Sequence, residues 1–286
     1  MLSPSSASAI RLLARTSVRT TLRAPVSRGF ANFSTLRNAR PRFIGTGGLA
    51  FGAVLLASFT LATTHIYADT QAEPSDVVTD PNTSITFPKT MHVPSRVPIP
   101  DLSLIGVGVR KVSFLGIKVY SVAFYADLNN PALQVSQSAT PEEKIDHIIQ
   151  NTTCALRIIP TRNTSYSHLR DGFMRALQGR LVLAKKSEAL TPQEELEIQS
   201  PLRKFKSMFP NSKPLEKHQS LDLLFLAAMG GEPRNLIVRD LGSVQNDWLA
   251  LELLRAYFHE KGISQAMKGD VWKNIEGFGT NNRRIA

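Results

Sequence analysis

Apolar positions along this chain change period several times, and each change marks an element. Leu102 to Val109, Val112 to Phe114 and Ile117 to Tyr125 are runs rich in branched and aromatic residues, with Gly106, Gly108 and Gly116 at their joints. They predict consecutive antiparallel strands, preceded by a short one near Ile85-Thr-Phe-Pro88. Helical spacing follows. Thr140-Pro-Glu-Glu143 and Thr191-Pro-Gln-Glu194 each place an N-cap Thr, a Pro at the first helical position and a Glu two residues later. Such a segment satisfies the free amides of a first turn. Between them, Leu169, Phe173, Met174, Leu177 and Leu181 form the apolar stripe of a helix over Tyr166 to Val182, read as core packing. The runs 219–228 and 235–240, joined by Met229-Gly-Gly-Glu-Pro233, predict a hairpin, and Asp247 to His259 a last helix. Strands, then helices, then a hairpin and a helix predict an α+β domain with an antiparallel sheet over 82–286.

The N-terminal part follows neither period. Residues 1 to 44 hold eight arginines (Arg11, Arg15, Arg19, Arg23, Arg28, Arg37, Arg40 and Arg42), no lysine and no acidic residue. This is the composition of a mitochondrial presequence, and Arg28-Gly-Phe30 suggests cleavage after residue 30. From residue 43 to 68 no formal charge occurs, which predicts a transmembrane helix over 45–68. Arginines precede it and Asp69, Glu73 and Asp76 follow it, so the C-terminal domain is expected to face the intermembrane space from the inner membrane. The span is either a retained anchor or a sorting signal removed after import. Residues 69–81 read as a linker, and the Pro-rich character continues to Pro100.

The formal charge of +11 suggests a nucleic-acid binder only until the eight presequence arginines are set aside, leaving +3. No basic stripe interleaved with aromatics remains, so nucleic acid is not an expected partner. Cys154 is the sole cysteine, which rules out an intrachain disulfide, a zinc cluster and a CxxCH haem site; within Cys154-Ala-Leu-Arg-Ile-Ile159 it reads as a small buried hydrophobe on a strand. The six histidines show no metal-ligand spacing, so neither metal nor cofactor is expected.

One charge stands out. Arg110 lies between two apolar runs, in Leu102-Ser-Leu-Ile-Gly-Val-Gly-Val-Arg110-Lys and Lys118-Val-Tyr120 onward to Tyr125. This segment resembles the chalcone isomerase family, whose Gly-x-Gly-x-Arg segment corresponds here to Gly106, Gly108 and Arg110, and it is most similar to the mitochondrial chalcone-isomerase-like branch of fungi. The resemblance implies an open-faced β-sandwich in which helices cover a long antiparallel sheet. It further implies that Arg110 steadies an anionic oxygen and that Tyr166 orients a water, the two catalytic residues if the protein is active as an intramolecular lyase closing a chalcone ring.

Several positions depart from the family pattern. Tyr120 stands where the family carries a Thr, Phe173 where it carries an Asn, and Ala256 and Tyr257 near its late polar pair. Less polar walls around Arg110 suit an amphipathic anion such as a fatty acid, which non-catalytic relatives bind through an arginine. The expected ligand-binding set is therefore Arg110, Tyr120, Tyr166, Phe173 and Tyr257. Three readings stay open: a non-catalytic binder, a working isomerase, and an assembly or scaffold factor of the inner membrane.

Overall fold

The computed structural model describes residues 76–95, 98–112 and 115–279. The expected presequence (1–44) and span (45–68) lie outside the described residues; among those described, no helix is long and apolar enough to cross a membrane. The elements are β1 (Val77–Thr79), β2 (Thr86–Pro88), β3 (Thr90–Met91), β4 (Leu102–Val112), β5 (Ile117–Ala126), α1 (Pro141–Asn151), β6 (Cys154–Pro160), β7 (Thr164–Ser165), α2 (Tyr166–Lys186), α3 (Pro192–Met208), β8 (Pro214–Leu215), β9 (Leu221–Phe225), β10 (Asn235–Val238), β11 (Gly242–Gln245), α4 (Asp247–Phe258) and α5 (Gln265–Ile275).

Seven of the strands form one antiparallel sheet in the order β11-β10-β9-β6-β5-β4-β3. Its β5 strand is buried on both faces, which explains why Val119 to Ala126 is apolar at every position but Ser121. Tyr120, Val122, Phe124 and Ala126 point into the core beneath the helices, while Ala123 and Tyr125 point into a second cluster on the opposite face. The β1–β2 hairpin closes part of that opposite face. Val78, Ile85 and Phe87 pack there, Tyr125 OH donates to the Pro88 carbonyl at 3.0 Å, and Ser121 Oγ donates to the buried Asp80 carboxylate at 2.7 Å. Among the described residues the first strand thus starts at Val77, inside the stretch read as linker; three residues of strand are too few to show a period in the sequence.

Both expected capping boxes form. Thr140 and Thr191 accept from the amides of Glu143 and Glu194, and each Glu side chain accepts from its cap in return. Cys154 is fully buried on β6, and burial pushes its thiol pKa up to about 12, leaving it unreactive.

Two readings of the glycines are corrected. The runs 102–109 and 112–114 are not separate strands, because β4 continues to Val112 with only register shifts after Leu104 and Arg110. Gly106 and Gly108 lie within it, not at joints. They sit beneath α5, an element the sequence reading lacked: an added Cβ at Gly108 would come within 2.1 Å of Met267 N, and one at Gly106 within 2.7 Å of Val271 Cγ2. Ser264, Asp270 and Asn274 then bond the backbone of β4 directly, at Val109 O (3.0 Å), Val107 N (2.8 Å) and Ile105 O (2.8 Å). Edge groups of the strand that would otherwise lack partners are satisfied by side chains.

Candidate functional site

Arg110 and Tyr120 are opposite partners in the β4–β5 ladder, and both side chains rise on the helix-covered face. Arg110 Nη1 donates to Tyr120 OH at 3.3 Å, and the Tyr120 and Tyr257 hydroxyls are 3.0 Å apart. Tyr257 reaches this point from α4, and both tyrosines are fully buried. The third wall is α2. There Gly172 leaves room for the guanidinium: an added Cβ would lie 3.1 Å from Arg110 Nη1. A glycine inside a helix costs about 1 kcal/mol relative to alanine, so its presence at this contact has a steric reason.

Arg110 forms no ion pair with a carboxylate among the described residues, and Tyr120 is the single hydrogen-bond acceptor it meets there. Burial works against its charge, but the adjoining Tyr120 and Tyr257 outweigh that and raise its pKa. It stays a cation. Burial, followed by the influence of Tyr120, pushes Tyr257 well above the ordinary phenol range, so its hydroxyl stays protonated and acts as a hydrogen-bond group rather than a phenolate. A half-buried guanidinium with unused N–H donors, flanked by the Tyr120 and Tyr257 hydroxyls, is suited to an anionic oxygen.

An apolar cavity of about 430 Å³ opens further along α2. Ala176 and Gly179, one and two turns beyond Gly172, line it with Leu183, Ala256 and Ile263 and with the charged Arg175, Arg180, Glu260 and Lys261; Arg110 is not among its lining residues. Among the described residues no group of His, Cys, Asp and Glu side chains is arranged to hold a metal ion.

The model of the family described as "Chalcone isomerase like" matches residues 100–144 and 134–272, more than half of the chain. The chain belongs to the chalcone isomerase-like family. Its relatives include an uncharacterized protein of Schizosaccharomyces pombe, 32% identical over 139 residues that make up 42% of this chain and 50% of that protein. The altered inheritance of mitochondria protein 18 of Vanderwaltozyma polyspora, named as mitochondrial, is 24% identical over 205 residues, 56% of this chain and 65% of the relative. The chain therefore spans between about half and two thirds of these two relatives. Among solved structures, a fatty-acid binding protein of Arabidopsis thaliana shares the fold, with a TM-score of 0.50, 20% identity, and coverage of 68% of this chain and 95% of that one.

Within this chalcone isomerase-like domain the expected site residues divide into two groups. Arg110, Tyr120 and Tyr257 form one hydrogen-bonded cluster. Tyr166 and Phe173 have other engagements. Tyr166 starts α2 with its ring 5.5 Å from Lys213 Nζ, and its pKa is raised by burial and then by Asp240. Phe173 is fully buried in an aromatic cluster, with ring centroids 6.3 Å from Phe205 and 6.1 Å from Phe209. Gly172 was missed by sequence reasoning. Its signal was a glycine within a helical stripe, one residue before Phe173.

Proposed function

We propose that this chalcone isomerase-like protein is a non-catalytic binder of an amphipathic anion such as a fatty acid. Arg110 would hold the carboxylate, and the cavity beside Ala176 and Gly179 would receive the chain. The observation that carries the reading is the guanidinium of Arg110, which is half-buried, hydrogen-bonded to Tyr120, seated on Gly172 and without a carboxylate partner among the described residues. A cation so placed has donors to offer a ligand. The fatty-acid binding protein that shares the fold agrees with it. A ring-closing isomerase draws less support, because Tyr166, the expected partner of Arg110 in that reaction, packs at Lys213 and forms no hydrogen bond with the Arg110 cluster among the described residues.

The test is the full chain purified in parallel with Arg110→Ala and examined by native mass spectrometry and lipid extraction. A carboxylate ligand is expected on the parent protein, with occupancy at least tenfold lower in Arg110→Ala, since a charge-assisted hydrogen bond is worth about 1.5–3 kcal/mol. Equal occupancy in the two proteins would refute the role of Arg110. Rapid turnover of chalcone, followed by loss of its long-wavelength absorbance, would favour the isomerase instead.

The arginine-rich residues 1–44 and the mitochondrial names of the relatives support action in mitochondria, and the uncharged stretch 43–68 supports a tether to the inner membrane with the domain in the intermembrane space. The protein is then expected in the pellet after alkaline carbonate extraction of mitochondria; recovery in the supernatant would leave the tether without support.

A further inference from the structure

The hairpin that carries Arg110 ends in a tip that ligand binding does not use. Lys111 and Lys118 are register partners and stand directly opposite each other, as do Val112 and Ile117 beyond them. Like charges so placed repel, and neither lysine forms an ion pair with a carboxylate among the described residues. Lys118 Nζ donates to the Asn82 carbonyl, which holds it in place without neutralising it. Past the lysines the chain turns at Gly116, whose φ of 63° suits a glycine. Here the surface is apolar: Leu115 is 69% exposed and Ile117 37% exposed.

Uncompensated cations beneath a small exposed apolar tip suit a lipid interface, where the apolar side chains reach below the headgroups and the ammonium groups meet phosphates. A protein partner fits less well. Stable protein interfaces bury about 800 Å² on each side, far more than Leu115 and Ile117, the exposed large apolar residues described at this tip, provide. A bilayer needs no shaped counterpart, and the small apolar area makes the contact weak and reversible.

We propose that the β4–β5 tip, through Leu115, Ile117, Lys111 and Lys118, docks the domain onto a bilayer surface containing anionic lipid. The contact does not depend on what Arg110 binds.

A local reporter on the full chain tests this even if other segments also bind lipid. Leu115→Cys is labelled with an environment-sensitive dye, with Ile117→Cys as an independent second position. The native Cys154 is fully buried and takes no label. Met229→Cys, at a site 76% exposed on another loop, is the control. Vesicles of phosphatidylcholine alone are compared with vesicles that also contain phosphatidylglycerol. Expected is a blue shift, with quenching by brominated lipid, at positions 115 and 117 but not at 229, and only with anionic vesicles. Combining Lys111→Gln with Lys118→Gln should weaken the partition of the tip roughly thirtyfold. The proposal fails if the dye at 115 and 117 keeps its aqueous emission on vesicle-bound protein. It fails equally if position 229 shifts as much, or if the shift ignores lipid charge.

Discussion

Gly108→Ala is expected to destabilise the domain by about 3 kcal/mol, at the upper end of what overpacking a core costs. In an ordinary strand the same change is favourable, because it removes freedom from the unfolded chain; that gain is at most about 1 kcal/mol. Here the new methyl would meet backbone, at 2.1 Å from Met267 N and 2.6 Å from Ala266 C and Met267 Cα. No rotamer change relieves such a contact. Helix α5 cannot retreat without breaking its bonds to Val107 N, Val109 O and Ile105 O, and Lys144 of α1 holds its far end through a bond of 2.6 Å to the Glu276 carbonyl. Gly106→Ala should act in the same direction but less strongly, since its closest contact, at 2.7 Å, is a side-chain methyl. Urea titration followed by circular dichroism would show a lower midpoint in both variants. A midpoint for Gly108→Ala equal to that of the parent would mean that α5 does not lie against β4.

Asp222→Ala should cost a similar amount by a different route. The carboxylate is buried on β9 and accepts from Arg157 Nε at 2.8 Å and Nη2 at 2.9 Å, and from Arg239 Nη1 at 2.8 Å. One anion thereby joins β6, β9 and the end of β10 on the sheet face opposite the helices. Removing one member of a buried ion pair costs about 3–5 kcal/mol, because the charge left behind loses its compensation. The low end applies here, as the Arg157 and Arg239 side chains keep 19% and 33% exposure and water can reach them. Arg239→Met should cost much less, because Arg157 still engages both carboxylate oxygens. Equal losses from Asp222→Ala and Arg239→Met would show that Asp222 is not the hub.

The parts of the fold that were legible in the sequence are those fixed by neighbouring residues. The two Thr-Pro-x-Glu segments form the capping boxes they predict, and the runs around 221–225 and 235–238 pair as a hairpin. What stayed hidden depends on distant contacts. Helix α5 buries Met267, Val271 and Ile275 at every fourth position, but Lys268, Gly269, Asp270 and Lys273 dilute the stripe, and its bonds to β4 join residues more than 150 positions apart. Gly106 and Gly108 read as punctuation for the same reason, since their steric partner lies near the other end of the domain.

The residues of the candidate cluster were legible to a similar degree. The one arginine among the apolar strand residues 102–125 pointed to Arg110, and family resemblance added Tyr120 and Tyr257. That same resemblance placed Tyr166 and Phe173 beside them, where the local packing gives both other partners: Lys213 for the first, Phe205 and Phe209 for the second. Gly172 could be recognised only with α2 seen lying over Arg110.

The dependence of β4 on α5 also sets the order in which the domain can fold. Synthesis from the N-terminus delivers β4 well before α5, so until α5 arrives Gly106 and Gly108 face no helix and the amide of Val107 lacks Asp270. Long-range closure of this kind makes folding slow. The domain becomes committed to its fold only when α5 packs on β4.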